Sequence, residues 1–273
     1  TANLTLFQKF MHRHFGLTRN INSIGRRFDE LKRLVETYNP DFVCLQKVRN
    51  KTSSLGQFMI PGYHVFFNAQ DYGDMSGVML YIRIQEGIGQ VCQLTSMPER
   101  ISTQELSANG HLQVYRCDQF FLVNAYVPFA NSQIEGADDF RRKWDGQFRE
   151  LMVELSAELP VIICGDLNIV HSDKDTCEDK YILNRPCFSA WERQNFDTLL
   201  AEADLVDAFR ALHPEENKPS FYGNFRFLGI GNRIDYFLVS RSLLKDVKDS
   251  DILTAFGTGQ SVPIILTFQK QLN

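Results

Sequence analysis

The chain has 273 residues, a mass of 31.5 kDa, and 44% hydrophobic and 12% aromatic residues, a composition that can build a core and excludes an intrinsically disordered protein. Its net charge is −4 and its isoelectric point is about 5.9. A protein that binds nucleic acid mainly by neutralising phosphates is usually basic, so any such surface on this chain must be local.

The first predicted elements are a strand, a helix and a second strand. Residues 3–11 mix apolar and polar side chains as a strand does, and Ser23 can cap the helix that follows. Apolar residues keep helical spacing over 24–38, and Asn39-Pro40 ends the helix. The apolar run over 41–45 then predicts a short buried strand.

The same alternation of strands and helices continues to the end of the chain. No linker, low-complexity tract or strong internal repeat interrupts it, so we predict a single domain over 1–273. Its predicted fold class is α/β, with two mixed β-sheets packed face to face and helices outside. The later predicted elements are strand-rich segments over 77–84 and 112–127, a helix over 137–158, a strand over 161–164, a helix over 189–203, and strands over 233–240 and 263–268.

The cysteines and the apolar runs indicate the type of cellular compartment. None of the six cysteines forms a CxxC pair, so a zinc site is not expected. Cys44 and Cys164 lie in apolar runs, as small core residues do, and a reducing, intracellular compartment fits them best. No apolar run approaches the roughly 18 residues of a membrane span, and we expect no signal peptide.

Several short segments occur in a characteristic order and spacing. The most specific pair is Gly165-Asp166-Leu167-Asn168 followed by Arg233-Ile234-Asp235-Tyr236, since either motif alone is weak. The other segments are Asn39-Pro40-Asp41 before Leu45-Gln46, Ser76-Gly77-Val78, Ala125-Tyr126-Val127-Pro128, and Glu192-Arg193-Gln194 with Phe196. Together, over nearly the whole chain, they resemble the exonuclease III and apurinic/apyrimidinic (AP) endonuclease branch of the endonuclease/exonuclease/phosphatase superfamily.

This resemblance implies a four-layered α/β sandwich that hydrolyses a phosphodiester with a divalent cation, usually Mg²⁺. Such a reaction requires a water that is oriented and deprotonated, and charge that stabilises the phosphate and the leaving oxygen. In the family, an Asp and an Asn act on the water and a carboxylate cluster holds the metal. A His, a Tyr and an Asn surround the phosphate.

Five positions keep the residue types that the resemblance implies. Asp166 and Asn168 match the pair that activates the water, and Tyr126 matches the tyrosine that faces the phosphate. Asp235 matches the aspartate that orients the catalytic histidine, and Phe221 matches an aromatic residue of the abasic-sugar pocket. The alternative for each of them is a purely structural role.

The positions that the resemblance assigns to the metal depart from the family pattern. Lys47 stands where the family has the glutamate that is its main metal ligand, and an ammonium group cannot ligate Mg²⁺. Phe10 and His12 align with the Asn-x-Asp of the first strand. We therefore expect the Mg²⁺ site to be lost and the chain to use no cofactor. The Lys47 amine is expected to take the metal position and to pair with Asp235 or Asp166.

The positions that the resemblance assigns to the phosphate are also substituted. Phe129 replaces the asparagine that ends the family's YVPN signature. Gln260 and Ser261 stand where the family has Asp and His, and neither register of this segment supplies either residue. Removing one acid–base group typically lowers a rate by roughly 10²–10⁴-fold.

These substitutions predict a pseudonuclease: an inactive homologue that acts as a structural or interaction subunit of a larger assembly with protein partners. One alternative is a nucleic-acid-binding protein without cleavage, supported by the basic residues Lys47, Arg49 and Lys51. The other is an active DNA repair endonuclease with an altered site, supported by the retained residues. No membrane and no small-molecule substrate are expected, and a nuclear or mitochondrial location is consistent with kinship to a repair enzyme.

Overall fold

The computed structural model describes residues 11–50, 52–68, 76–84, 92–93, 106, 110–130, 134–177, 186–223, 226–256 and 259–271. The strands in this part of the chain are β1 (Met11–Asn20), β2 (Phe42–Gln46), β3 (Tyr63–Asn68), β4 (Val78–Arg83), β5 (Cys92–Gln93), β6 (Leu112–Arg116), β7 (Phe121–Tyr126), β8 (Val161–Asp166), β9 (Leu205–Asp207), β10 (Asp235–Ser240), β11 (Val247–Ile252) and β12 (Ile264–Gln271). The α-helices are α1 (Ile24–Tyr38), α2 (Ala137–Glu158), α3 (Ala190–Glu202), α4 (Ala208–Leu212) and α5 (Arg241–Leu244), and 3₁₀ turns cover Thr52–Phe58, Asp173–Asp175 and Arg226–Leu228.

The strands form two six-stranded mixed sheets. The first sheet has the order β11-β12-β1-β2-β4-β3, and the second has the order β5-β6-β7-β8-β10-β9. In each sheet two central strands are parallel, β1 with β2 and β7 with β8, while the other paired strands run antiparallel. Parallel neighbours end at the same edge of a sheet, and this arrangement brings the predicted motifs together.

Three apolar clusters separate four layers. Leu17 and Leu31 belong to the cluster between α1 and the first sheet, and Leu80 and Ile162 to the cluster between the two sheets. Trp144 belongs to the cluster between the second sheet and the helices α2 and α3. Each large side chain that is fully buried in this way stabilises the fold by roughly 1.5–3 kcal/mol. The predicted four-layered α/β sandwich is thus confirmed.

The helix boundaries have local causes. Ser189 caps α3 through its hydroxyl, which accepts from the Glu192 backbone N–H, while the Glu192 carboxylate accepts from the Ser189 N–H at 3.1 Å. Ser23 precedes α1, as predicted, but its side chain makes no capping hydrogen bond. Asn39 ends α1 in the left-handed conformation, with φ 44°.

The prediction of the first strand needs a correction. The strand that pairs with β2 and β12 is Met11–Asn20, whereas the predicted strand over 3–11 falls almost entirely outside the described residues. Cys44 and Cys164 are buried free thiols between the sheets, as expected. Within the described residues, no helix is long and apolar enough to span a membrane.

A buried group of charges fastens the Arg233-Ile234-Asp235-Tyr236 segment to its neighbours. The Arg233 guanidinium donates to Asp175 through Nε and to Asp207 through Nη2, both at 2.7 Å. All three side chains are at least nine-tenths buried. Burial favours the neutral form of Asp175, but the pairing with Arg233, together with hydrogen bonds from Arg210 and Ser172, outweighs it and lowers the pKa of Asp175 to about 2.

We expect this group to make the protein sensitive to acid. The pKa of Asp175 is lower in the folded state than its ordinary value of 3.8, so its stabilising contribution is present above about pH 4 and is lost as the pH falls toward 2. The loss for this one group should be roughly 2 kcal/mol in the free energy of unfolding. Urea unfolding at several pH values, for the wild type and Asp175→Asn, measures it. If the free energies of unfolding of the two proteins change with pH in parallel, Asp175 is not the group responsible for the acid sensitivity.

Candidate active site

Polar residues from both sheets meet at one edge of the sandwich. In the first sheet, Asn20 at the end of β1 pairs with Gln46 at the end of β2. In the second sheet, Tyr126 at the end of β7 pairs with Asp166 at the end of β8, and Asp235 at the start of β10 lies opposite Asp166. Strand register thus fixes five polar side chains at a single edge, where α/β proteins usually place their ligands.

Asp166 lies at the centre of this edge and is fully buried. Its Oδ2 accepts a hydrogen bond from Asn20 Nδ2 at 2.7 Å, and its Oδ1 accepts from the Asn168 backbone N–H at 3.1 Å. Burial raises the pKa of Asp166, although Lys47 and these hydrogen bonds partly oppose the shift. A carboxylate with a raised pKa and two fixed donors is suited to accept a proton from a bound water.

Lys47 follows β2 and covers Asp166. Its Nζ is 3.7 Å from Asp166 Oδ2 and 5.1 Å from the centre of the Tyr126 ring. Burial lowers the pKa of Lys47, but Asp166 and Tyr126 outweigh this effect and leave the pKa raised. Lys47 therefore carries a positive charge at neutral pH. Of the two carboxylates that were expected to pair with it, Asp166 makes the ion pair.

Asp235 lies beside Asp166 and is held by Ser220. The Ser220 hydroxyl donates to Asp235 Oδ2 at 2.7 Å and accepts from the Asp235 backbone N–H at 3.0 Å. Burial and the neighbouring Asp166 raise the pKa of Asp235 well above its ordinary value.

A network of buried amides supports the edge from below. Gln46 Nε2 donates to Thr18 Oγ1 and to Asn124 Oδ1, both at 2.8 Å, and so connects the two sheets. Asn124 Nδ2 in turn donates to Gln113 Oε1 at 3.2 Å. Because buried amides need partners, this network fixes how the sheets face each other directly beneath Lys47. No motif in the sequence predicts this network.

The Gly165-Asp166-Leu167-Asn168 motif has a backbone requirement of its own. Gly165 has φ 137°, and a Cβ atom on it would lie 2.0 Å from the Ala125 carbonyl oxygen. Only glycine fits this close approach between β7 and β8. Asn168 has φ 48°, and its side chain donates to the Val127 carbonyl at 2.8 Å. Asn168 is thus retained near Asp166, where it orders the chain after β8.

The substituted positions near the C-terminus also lie at this edge. Gln260 Oε1 accepts from Asn22 Nδ2 at 3.4 Å, and the buried Ser261 forms a β-bridge with Phe221. Phe221 packs against a small cluster that contains Ile234, and Phe129 is 46% exposed just after β7. The structure thus brings Gln260 to the segment before α1 and Ser261 to Phe221, and the role of each substituted position remains a prediction.

The alignment of Phe10 and His12 with the first-strand Asn-x-Asp is wrong. His12 pairs with Lys270 near the start of β1, eight residues before the edge where Asp166 lies, and Phe10 is outside the described residues. The edge position belongs to Asn20, which donates directly to Asp166. The Asn20-Ile21-Asn22 segment shortly before α1 could have identified this position. It was overlooked because β1 ends later in the sequence than predicted.

The basic residues of the 47–51 segment lie in different places. Lys47 is in the site, and Arg49 lies close enough to Tyr126 to lower the pKa of its hydroxyl, although burial raises that pKa overall. Lys51 is outside the described residues. Arg141, from the basic run on α2, is buried and paired with Asp145 at 2.8 Å, so it is structural.

The described residues do not fit the Mg²⁺ ion that the resemblance implies. Magnesium requires near-octahedral oxygen ligands at about 2.0–2.1 Å. In the part of the chain that the structure describes, no group of three or more His, Cys, Asp or Glu side chains is placed to hold a metal. The Lys47 ammonium already lies beside the Asp166 carboxylate, and a second cation there would be repelled.

Similarity to known proteins bears on the activity. The model of the Endonuclease/Exonuclease/phosphatase family matches residues 17–256. The chain is 30% identical to the DNA repair nuclease APEX1 of Danio rerio over 240 residues, covering 85% of this chain and 74% of that protein. It is 30% identical to a DNA-(apurinic or apyrimidinic site) endonuclease of Dictyostelium discoideum over 222 residues, covering 79% of this chain and 59% of that protein.

A solved structure shows the same fold. The crystal structure of the AP endonuclease LMAP from Leishmania major aligns with a TM-score of 0.82 and 20% identity, covering 99% of this chain and 91% of that chain. This likeness supports the four-layered architecture independently of the motifs.

The prediction that the chain is not an enzyme is contradicted by these relatives. Proteins that share 30% of its sequence over most of its length are nucleases, so the similarity points to an enzyme. The substitutions remove residue types that the resemblance assigns to the site, but they leave Asp166 in place. The chain belongs to the endonuclease/exonuclease/phosphatase family, as a member of its exonuclease III and AP endonuclease branch.

Proposed function

We propose that the protein is a DNA repair endonuclease with an altered active site, which hydrolyses the phosphodiester at abasic sites. The observation that carries this proposal is the buried Asp166, held by two donors and covered by the cation Lys47 at the edge where five polar residues meet. The names of the two relatives, a DNA repair nuclease and an endonuclease for apurinic or apyrimidinic sites, support the substrate.

Asp166 is the general base in this proposal. Lys47, which is 21% exposed, meets the substrate phosphate before the fully buried Asp166 does. Their separation of 3.7 Å is longer than a hydrogen bond, so the ammonium can turn toward the phosphate and leave the carboxylate to a water. The water oxygen attacks phosphorus, its proton passes to Asp166, and the bond from phosphorus to the leaving oxygen breaks.

Tyr126 and the positive charges handle the phosphate. The Tyr126 hydroxyl keeps its proton at neutral pH because burial raises its pKa, so it can donate a hydrogen bond to the phosphate or to the leaving oxygen. Arg49 adds a second positive charge close to Tyr126. A local basic site of this kind is compatible with the acidic net charge of −4, because only the reacting phosphate has to be neutralised.

The test is cleavage of a duplex that carries one abasic-site analogue, with protein in excess and Mg²⁺ present. We expect a single cut at the analogue, and no cut in the same duplex without the lesion. An active AP endonuclease serves as the positive control. If that control cleaves the substrate completely while this protein leaves it intact, the proposed activity is wrong.

A further inference from the structure

We infer that the Lys47 ammonium takes the place of the divalent cation in this site, so that the protein binds no metal there and acts on phosphate without one. The part of this inference that concerns phosphate rests on the proposed function. The part that concerns the metal rests on the geometry of Lys47. It assigns Lys47 as the residue that stabilises charge on the substrate.

The surroundings of Lys47 are those of a bound cation. Asp166 contributes a charged carboxylate 3.7 Å away, and Tyr126 presents its ring 5.1 Å away. In addition, Asn20 Oδ1 and Asp235 Oδ1 are buried oxygen atoms that accept no hydrogen bond. Buried acceptors without donors are unfavourable unless a positive charge lies near them, and the charge of Lys47 acts on Asp235 in the present sequence.

The backbone holds Lys47 at this position. Lys47 has φ 52°, a left-handed conformation that non-glycine residues seldom adopt. Its carbonyl accepts from the Ser23 N–H at 2.8 Å, and the next residue, Val48, donates to the Gly77 carbonyl at 3.0 Å. Backbone strain that neighbouring segments hold in place is typical of functional sites, where a side chain must keep one position.

The ion pair with Asp166 agrees with one fixed cation at this place. Lys47 Nζ lies 3.7 Å from the carboxylate of Asp166, which is fully buried. A Mg²⁺ ion added beside the Lys47 ammonium would be repelled by it. A glutamate at position 47 would remove the ammonium and add an oxygen ligand beside Asp166, Asn20 and Asp235, which are the ligand types that Mg²⁺ and Mn²⁺ prefer.

The first experiment measures metal binding without any substrate. Thermal melting is followed while MnCl₂ is added to the wild type, Lys47→Glu and Lys47→Arg. The melting temperature of Lys47→Glu should rise with Mn²⁺, because an ion that binds only the native state stabilises it. The wild type and Lys47→Arg, which keep the positive charge, should show no rise. A dose-dependent rise in the wild type that matches the rise in Lys47→Glu would overturn the inference.

The second experiment remains informative if Lys47→Glu does not fold. Lys47→Gln removes the cation without adding a carboxylate, and its cleavage of the abasic duplex in EDTA should be roughly 10²–10³-fold slower than that of the wild type. Equal rates would show that Lys47 does not supply the charge. If no form of the protein cleaves under any condition, the proposed function fails, and the Mn²⁺ titration of the wild type still decides the inference on Lys47.

Discussion

Replacing Asp166 by asparagine should lower the rate of abasic-site cleavage by roughly 10²–10⁴-fold. The substitution keeps the size of the side chain but removes the group that accepts the proton from water. Asn20 and the Asn168 backbone N–H, which now donate to the carboxylate, would face a neutral amide instead. The measurement is the single-turnover rate with the abasic duplex, for the variant and the wild type side by side.

Asp138→Asn is the matched control for this substitution. Asp138 is exposed in the first turn of α2 and lies outside the edge that holds the site, so its replacement should leave the rate unchanged. Circular dichroism and the melting temperature show whether Asp166→Asn is folded. A folded Asp166→Asn variant that cleaves as fast as the wild type would rule out Asp166 as the base.

The largest effect on stability is expected from Arg233→Met. Arg233 is 1% exposed and donates to Asp175 and Asp207, so its loss leaves Asp207 buried without its ion-pair partner and leaves Asp175 paired with Arg210 alone. Breaking a buried ion pair on one side typically costs roughly 3–5 kcal/mol in the free energy of unfolding. Arg233 also packs over the Tyr236 ring, 4.6 Å from its centre, and methionine would keep only part of that contact.

Arg241→Met is the control for the loss of a charge alone. Arg241 pairs with Asp204 at 2.9 Å, but both side chains are more than half exposed. Exposed pairs of this kind contribute roughly 0–1 kcal/mol. Urea unfolding of the two variants should therefore give clearly different midpoints. Equal midpoints for Arg233→Met and Arg241→Met would show that the buried group around Arg233 does not stabilise the fold.

Most of the fold could be predicted from periodicity and from breaker residues. The helix over 24–38 has the predicted bounds, because apolar residues recur at helical spacing and Asn39-Pro40 follows. The helix over 137–158 is equally well predicted. The short strands β9 and β11 were missed, since β9 has only three residues and half of the six residues of β11 are charged. Such segments become strands through pairing with β10 and β12, which local sequence does not show.

The site residues could be predicted only where a recognisable motif adjoins a buried strand. Asp166 and Asp235 were found because each lies in a recognisable motif beside an apolar strand. Asn20 was missed because the strand that it ends, Met11–Asn20, contains two histidines and three other polar residues besides Asn20, and these hide its periodicity. The Gln46–Asn124 hydrogen bond joins residues 78 positions apart, and no sequence pattern reveals such a pair.

The activity could not be judged from substitutions alone. Lys47 replaces a ligand that the family resemblance implies, and counting such losses predicted an inactive protein. The structure places the Lys47 ammonium 3.7 Å from Asp166, where it supplies positive charge rather than merely removing a ligand. Which carboxylate it would pair with depended on the register between β8 and β10, a tertiary property.

The most direct measurement is the single-turnover cleavage of the abasic duplex by the wild type in EDTA, compared with the same reaction in Mg²⁺. If Lys47 supplies the charge and Asp166 the base, the duplex is cut in EDTA at the same rate as in Mg²⁺. Cleavage that stops in EDTA and returns when Mg²⁺ is added would contradict this account, because it would require a metal where the structure places an ammonium group.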